Sequence, residues 1–187
     1  MKRMILVTLL LAGLMAFSST GTAMARKPEP PSPPPDTSAG TVIFSEPVTL
    51  PNGQMGTVEI AVGQNDAATG GTRALASTVH ERTCWAEFYV TILGVKTASY
   101  KLYQRFRYTG MNISYVFSPF TTVSSAVGWS VTNRSYGWFW VNRGISATAW
   151  ASADVIWKPA GIVLRQWSPT IGIDFYGSGY CRLWGYV

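Results

Sequence analysis

Hydrophobic and polar side chains alternate with a period of two along most of the chain from Gly40 onward. Residues 99–108 form one such run: every second position from Tyr100 to Tyr108 carries an aromatic ring, a leucine or a glutamine. Residues 83–92 and 145–155 alternate in the same way. Because successive side chains of a β-strand point to opposite faces of a sheet, this period predicts strands that each bury one face.

Turn-forming residues separate these runs at regular intervals. Pro51-Asn52-Gly53 predicts a hairpin, residues 65–72 predict a loop, and residues 133–137, 142–144 and 159–161 predict further turns. After Gly40 no stretch combines apolar residues at helical spacing with helix-capping residues at its ends. We therefore expect an all-β fold, an antiparallel β-sandwich or jelly roll of about ten strands. Besides a short C-terminal piece, the strands are expected near Thr41, Gln54, Thr83, Thr97, Asn112, Val123, Gly137, Ile145, Gly161 and Ile171.

The first 39 residues carry a different pattern. Lys2 and Arg3 precede an apolar run over residues 5–17, and Ala23-Met24-Ala25 supplies the small residues that a signal peptidase reads. This order predicts a signal peptide over residues 1–25, since a transmembrane helix needs about 20 apolar residues. Residues 26–39 are rich in proline, which predicts an extended, disordered linker. Residues 40–187 then form a single β-rich domain.

Cys84 and Cys181 are the two cysteines of the chain. In an exported protein, one disulfide is the simplest arrangement of such a pair, and it would join an early strand to the last one. Metal ligation is a poorer alternative, because His80 is the single histidine. We expect neither a metal nor another cofactor.

The chain is mildly basic. Its formal net charge is +6, which falls to +4 when Lys2 and Arg3 leave with the signal peptide. This charge allows weak attraction to anionic surfaces, but it is no nucleic-acid signature by itself.

A carboxylate flanked by aromatic rings is the best candidate for catalysis. Trp85, Glu87 and Tyr89 are expected to share one face of a strand whose other face belongs to the core. Sugar rings stack on aromatic side chains, and a carboxylate beside a sugar can act in glycoside hydrolysis.

The segment Ala86-Glu87-Phe88-Tyr89 resembles a strand of small secreted jelly-roll xylanases. The resemblance implies that Glu87 is one of two catalytic carboxylates. However, no glutamate follows Glu87, so only Asp154 or Asp174 could supply the second. Because the reaction needs a pair of carboxylates, an ion-paired or solvated Glu87 is the favoured interpretation, and the sequence leans towards a protein that is not an enzyme.

Two further surfaces could bind a ligand. Trp138 and Trp140 share one face of a strand whose other face is also apolar, so they belong to the core or display a platform for polysaccharide, and the core is favoured. A second stripe could hold a polyanion, although a solvated strand face is favoured; it consists of Lys101, Tyr103, Arg105 and Arg107.

Three functions remain open from the sequence. The leading hypothesis is a secreted, non-catalytic β-sandwich that binds polysaccharide or another component of the cell envelope, because aromatic residues are abundant without a catalytic constellation. The second is a membrane-acting or pore-forming protein, suggested by the almost uncharged Ser/Thr/Ala-rich residues 121–132 and 144–154. The third is a small secreted glycoside hydrolase that uses Glu87.

Overall fold

The computed structural model describes residues 40–66 and 79–187. Within these residues there are eleven β-strands, one short 3₁₀ turn and no α-helix. The elements are β1 Thr41–Thr49, β2 Met55–Asp66, β3 His80–Ile92, β4 Val95–Tyr108, β5 Ile113–Val116, β6 Phe120–Ser125, β7 Trp129–Asn142, β8 Ser146–Trp157, the turn Pro159–Gly161, β9 Arg165–Trp167, β10 Thr170–Tyr176 and β11 Cys181–Tyr186. The predicted signal peptide, the predicted linker and residues 67–72 of the predicted loop lie outside the described residues.

The strands form two sheets in which every paired neighbour is antiparallel. The first sheet has the order β1-β2-β3-β4-β5, with β6 also paired to β4; the second has the order β11-β10-β8-β7, with β9 also paired to β8. Strands β10 and β11 pack over β2 and β3, while β7 and β8 pack over β4. The structure therefore confirms an antiparallel β-sandwich.

The core lies between the two sheets and follows the predicted alternation. On β3 every second side chain points into the core: Cys84, Ala86, Phe88, Val90 and Ile92. On β8 the inward positions 147, 149, 151 and 153 are all alanine, and the first three are fully buried. Core packing thus accounts for the alanines of the segment 144–154.

The Cys84–Cys181 disulfide joins the two sheets. Cys84 lies on β3 of the first sheet and Cys181 begins β11 of the second. Their Cα atoms are 6.6 Å apart, and the two positions are separated by 97 along the sequence. Both cysteines are buried in the main core. The predicted bridge is confirmed, and it is a bond typical of oxidising compartments.

The predicted turn at residues 133–137 is wrong, because β7 continues through it. Its pairing with β8 is irregular between Thr132 and Ser135, where one extra residue on β7 forms a β-bulge. Asn133 has a φ of 49°, a left-handed conformation that asparagine tolerates better than most residues. The polar, turn-forming residues here bend one long strand instead of reversing the chain.

Removing the disulfide should destabilise the domain without changing its fold. We expect the double variant C84A/C181A to lose about 2–5 kcal/mol of unfolding free energy, since a cross-link across about 100 residues restricts the unfolded chain. Urea denaturation followed by tryptophan fluorescence measures this loss. The wild type in reducing agent is the control and should shift in the same direction; an unchanged midpoint in both would contradict the stabilising role.

Candidate functional site: the two outward sheet faces

The outward face of the first sheet carries most of the residues singled out from the sequence. Cross-strand pairing places Trp85 beside Tyr103, and Glu87 beside Lys101. The Lys101 ammonium lies 3.8 Å from the centre of the Trp85 ring and 5.0 Å from that of Tyr103. Trp85, Lys101 and Tyr103 are only 3–4% exposed. The structure thus brings these three residues together, but as a packed cation–π layer with little surface for a ligand.

Glu87 lies in the same layer and is already paired. Its Oε1 atom accepts a hydrogen bond from Lys96 Nζ at 2.9 Å, and the residue is 8% exposed. Asp154 and Asp174 are on the outward face of the second sheet. Asp154 alternates with the core residues Ala153 and Val155 along β8, and Asp174 pairs with Thr148, which alternates with the core alanines of the same strand. They therefore lie on the other side of the sandwich and cannot form a catalytic pair with Glu87.

Arg105 and Arg107 of the basic stripe share one counter-ion. Both guanidinium groups form ion pairs with Glu81, and the Arg107 Nε–Glu81 Oε2 distance is 2.9 Å. The two guanidinium carbons also lie 4.5 and 5.4 Å from the centre of the Phe117 ring. The positive charge of the stripe is thus partly neutralised within the sheet, which weakens its attraction for a polyanion.

Trp138 and Trp140 project from the core-facing side of β7. They pair with Ala149 and Ala147, which are core residues of β8. Trp138 packs against the core, and Trp140, at the margin of the sandwich, is 36% exposed. The two indole rings meet edge to face at 5.4 Å. They form one aromatic pair, but they do not belong to either outward face.

The outward face of the second sheet carries an aromatic row that was not predicted from the sequence. Across four neighbouring strands the register aligns Gly137, Trp150, Gly172 and Trp184. A Cβ atom at Gly172 would clash with three ring atoms of Trp184, so that indole lies across Gly172. A Cβ atom at Gly137 would lie 3.6 Å from Trp150 Nε1, so Trp150 covers Gly137. We call this arrangement the Gly–Trp row.

Asp174 anchors the Trp184 end of the row. Its Oδ1 atom accepts hydrogen bonds from Thr148 Oγ1 at 2.8 Å and from Trp184 Nε1 at 3.2 Å. Its Oδ2 atom accepts one from Arg182 Nε at 3.1 Å. These bonds fix the orientation of the indole. Arg182, with two-thirds of its side chain exposed, remains at the margin of the face.

The two tryptophans of the Gly–Trp row line a shallow open groove of about 360 Å³. Trp184 also stacks on Tyr186, with ring centres 6.2 Å apart and planes within 8° of parallel. The groove is lined by Phe139, Thr148, Trp150, Ser152, Thr170, Trp184 and Tyr186. Aromatic faces surrounded by hydroxyl groups can hold a ring-shaped polar molecule by stacking and hydrogen bonding.

Part of this face was open to prediction. The alanines at 147, 149, 151 and 153 place Trp150 on the opposite, outward side of β8 by alternation alone. Trp184 carried no such signal, because its position beside Gly172 depends on how β10 and β11 pair.

Comparison with known proteins gives no relative: no protein-family model, curated protein or solved structure matches this chain. In the described part of the chain, no group of three or more His, Cys, Asp or Glu side chains could hold a metal ion. Across residues 40–66 and 79–187 no helix has the length and apolar character needed to cross a membrane.

Tyr89 should ionise unusually late. Burial raises the pKa of Tyr89 to about 12, and the Glu59 carboxylate, which accepts a hydrogen bond from the Tyr89 hydroxyl, is the second cause. The folded state therefore retains a proton that the unfolded state loses above about pH 10, so this stabilisation is complete below pH 10 and disappears as the pH rises towards 12. Ultraviolet difference titration should show a late-ionising tyrosine that Y89F removes. Identical titration curves for Y89F and Y115F, a control at an exposed tyrosine, would contradict this assignment.

Gly172 should be required for the flat position of Trp184. In G172A the new methyl group clashes with the indole, so we expect a loss of about 1–3 kcal/mol of unfolding free energy and a shifted tryptophan emission. G137A is the matched control, because its Cβ atom meets Trp150 at an ordinary contact distance. Chemical denaturation of both variants measures the difference, and equal stability would show that the row is not close-packed.

Proposed function

We propose that this protein is an exported, non-catalytic carbohydrate-binding β-sandwich, and that its glycan lies along the Gly–Trp row. The observation that carries the proposal is the register that alternates glycine and tryptophan across four strands of one open sheet face. The glycines leave room for each indole to lie across the neighbouring strand. A flat aromatic surface results, which is the shape that complements the apolar face of a sugar ring.

Polar groups beside the row support a glycan over a purely apolar ligand. Ser152, Thr170 and Thr148 line the groove, and the Asp174–Arg182 pair lies next to Trp184. Hydroxyl groups can donate hydrogen bonds to sugar hydroxyls and accept them, a guanidinium group can donate them, and the rings supply stacking. The groove volume lies at the lower end of the range of ordinary ligand sites and is open at the surface, which suits one or two sugar units of a polymer.

The export part of the proposal rests on the chain before Gly40. A signal peptide over residues 1–25 would carry the domain out of the cytoplasm, and the proline-rich residues 26–39 would hold it away from its point of attachment or release. The buried Cys84–Cys181 bridge is consistent with that route. An envelope polysaccharide is the ligand class that an exported binding domain of this kind would meet first.

A non-catalytic role agrees with the surroundings of the carboxylates. Glu87 is buried and paired with Lys96, and both carboxylate oxygens of Asp174 accept hydrogen bonds from neighbouring side chains. Neither is an exposed acid with a second free carboxylate beside it, as glycoside hydrolysis requires. The proposal therefore assigns Asp174 to positioning of Trp184.

Loss of either indole should weaken polysaccharide binding. We expect W184A and W150A to raise the Kd for a bound polysaccharide by about tenfold or more, because stacking area in the groove is removed. Pull-down with insoluble cellulose, chitin and peptidoglycan, followed by affinity electrophoresis in soluble xylan and glucan, identifies and measures the ligand.

Y115A is the matched control, because Tyr115 is an exposed aromatic residue of the first sheet. It should bind like the wild type. The proposal fails if no polymer is retained by the folded wild type, or if W184A and W150A bind as tightly as Y115A.

A further inference from the structure

Four connections between strands meet at one end of the sandwich: the β1–β2 turn, the β3–β4 turn, the β6–β7 loop and the β8–β9 segment. Backbone hydrogen bonds join neighbouring connections in that order: Leu93 N donates to Met55 O, Ala126 N to Thr97 O, and Lys158 N to Gly128 O. The four connections therefore form one continuous surface that includes both sheets.

Exposed apolar side chains cluster on this surface. Val127 is fully exposed, and five further residues in or beside the same connections are each more than half exposed. The six residues are Met55, Leu93, Val95, Val127, Ile162 and Val163. We call them the apolar tip. A single exposed apolar residue is ordinary, but a cluster on adjoining loops marks a surface that meets an apolar partner.

The backbone holds the apolar side chains of the β8–β9 segment away from the core. Leu164 N donates a hydrogen bond to the Trp157 carbonyl, which ties the segment to the end of β8. On the core side, Trp129 stacks on Trp167 with ring centres 5.9 Å apart and also packs against Trp157. All three indoles are buried. The core at this end is thus already occupied by aromatic rings, and the tip residues remain in solvent.

The charges around the apolar tip are positive. Residues 50–57, 91–97, 126–130 and 157–165 contain three cationic residues, Lys96, Lys158 and Arg165, and neither aspartate nor glutamate. Lys96 pairs with Glu87. Among the described residues Lys158 and Arg165 form no ion pair, and they flank the tip residues Ile162 and Val163 along the chain.

We propose that the apolar tip docks on a lipid bilayer whose surface carries anionic headgroups. Positive charge without a carboxylate in the same loops complements such a surface. Side chains on separate loop ends can each enter the acyl region, while Lys158 and Arg165 remain at the depth of the headgroups. Hot spots of protein interfaces favour Trp, Tyr and Arg over Leu and Val, so a tip without aromatic residues matches hydrocarbon better than a protein partner.

Co-sedimentation with sucrose-loaded vesicles tests the apolar part of the contact. Phosphatidylcholine vesicles with about 30% phosphatidylglycerol should retain the wild type. V127S/I162S should bind these vesicles about tenfold or more weakly, because two exposed apolar side chains no longer enter the bilayer. M111S/I145S is the matched control and should bind like the wild type, since both residues are exposed in loops at the opposite end of the sandwich.

Charge neutralisation tests the headgroup part of the contact. K158Q/R165Q should bind the anionic vesicles about tenfold or more weakly, because each cation near an anionic surface strengthens binding by roughly fivefold. Its residual binding to pure phosphatidylcholine should equal that of the wild type. R107Q/R143Q is the matched control: it removes the same charge near the opposite ends of β4 and β7 and should retain most of the binding.

A fluorescent probe tests which end of the sandwich meets the lipid. The native cysteines are bridged, so a thiol-reactive, polarity-sensitive dye should label V127C selectively. Its emission should shift to the blue on addition of anionic vesicles, whereas the dye on M111C should not respond.

Three results would overturn the proposal. The folded wild type could fail to sediment with anionic vesicles, V127S/I162S could bind as tightly as M111S/I145S, or the dye on V127C could remain in water. A dimer that V127S/I162S dissociates, without vesicle binding, would instead assign the tip to a second copy of the chain. W150A and W184A should bind vesicles like the wild type, so failure of the glycan site and failure of the tip are distinguishable. Circular dichroism of each variant excludes loss of the fold.

Discussion

The strict alternation of small inward and larger outward side chains along β8 sets both the core and the outer surface. Four successive inward positions of β8 are alanine, while the first sheet contributes large buried residues such as Phe88, Tyr100 and Phe106 to the same core. Small side chains on one sheet and large ones on the other fill the space between them at high density. A slip of one residue would turn Trp150 into the core and the alanines out to solvent, so packing fixes the register.

The two outward faces of the sandwich differ in how their polar groups are used. On the first sheet each cation covers an aromatic ring or a carboxylate: Lys101 covers Trp85, and Glu81 neutralises two arginines. Those residues satisfy one another, and Trp85 and Lys101 leave almost no exposed surface. On the second sheet the hydrogen bonds converge on Asp174, and the indole they orient remains beside an open groove. The surface with the more conspicuous sequence motif is therefore the less accessible one.

Most of the fold can be predicted from the alternation of hydrophobic and polar residues, the turn-forming residues and the number of cysteines. They identify the inward faces of β3, β4 and β8, the sandwich class and the disulfide, because each of these depends on local periodicity or on the only available pair. They do not predict the Gly–Trp row, since Gly137, Trp150, Gly172 and Trp184 meet only through the pairing of four strands. The bulge at Asn133 was missed for a related reason: a left-handed asparagine serves a bulge as well as a turn.

In the proposed site, the contacts that hold Trp184 in place would also prepare it for a ligand. Gly172 provides the space below the ring, Asp174 accepts its N–H group, and Tyr186 stacks against it. Immobilising a side chain on binding costs about 0.5–1.5 kcal/mol, and a ring already held by three neighbours avoids most of that cost. A ligand that stacks on Trp184 would therefore gain the contact without having to order it. In that case Asp174, whose oxygens already have partners, would contribute by orienting the ring.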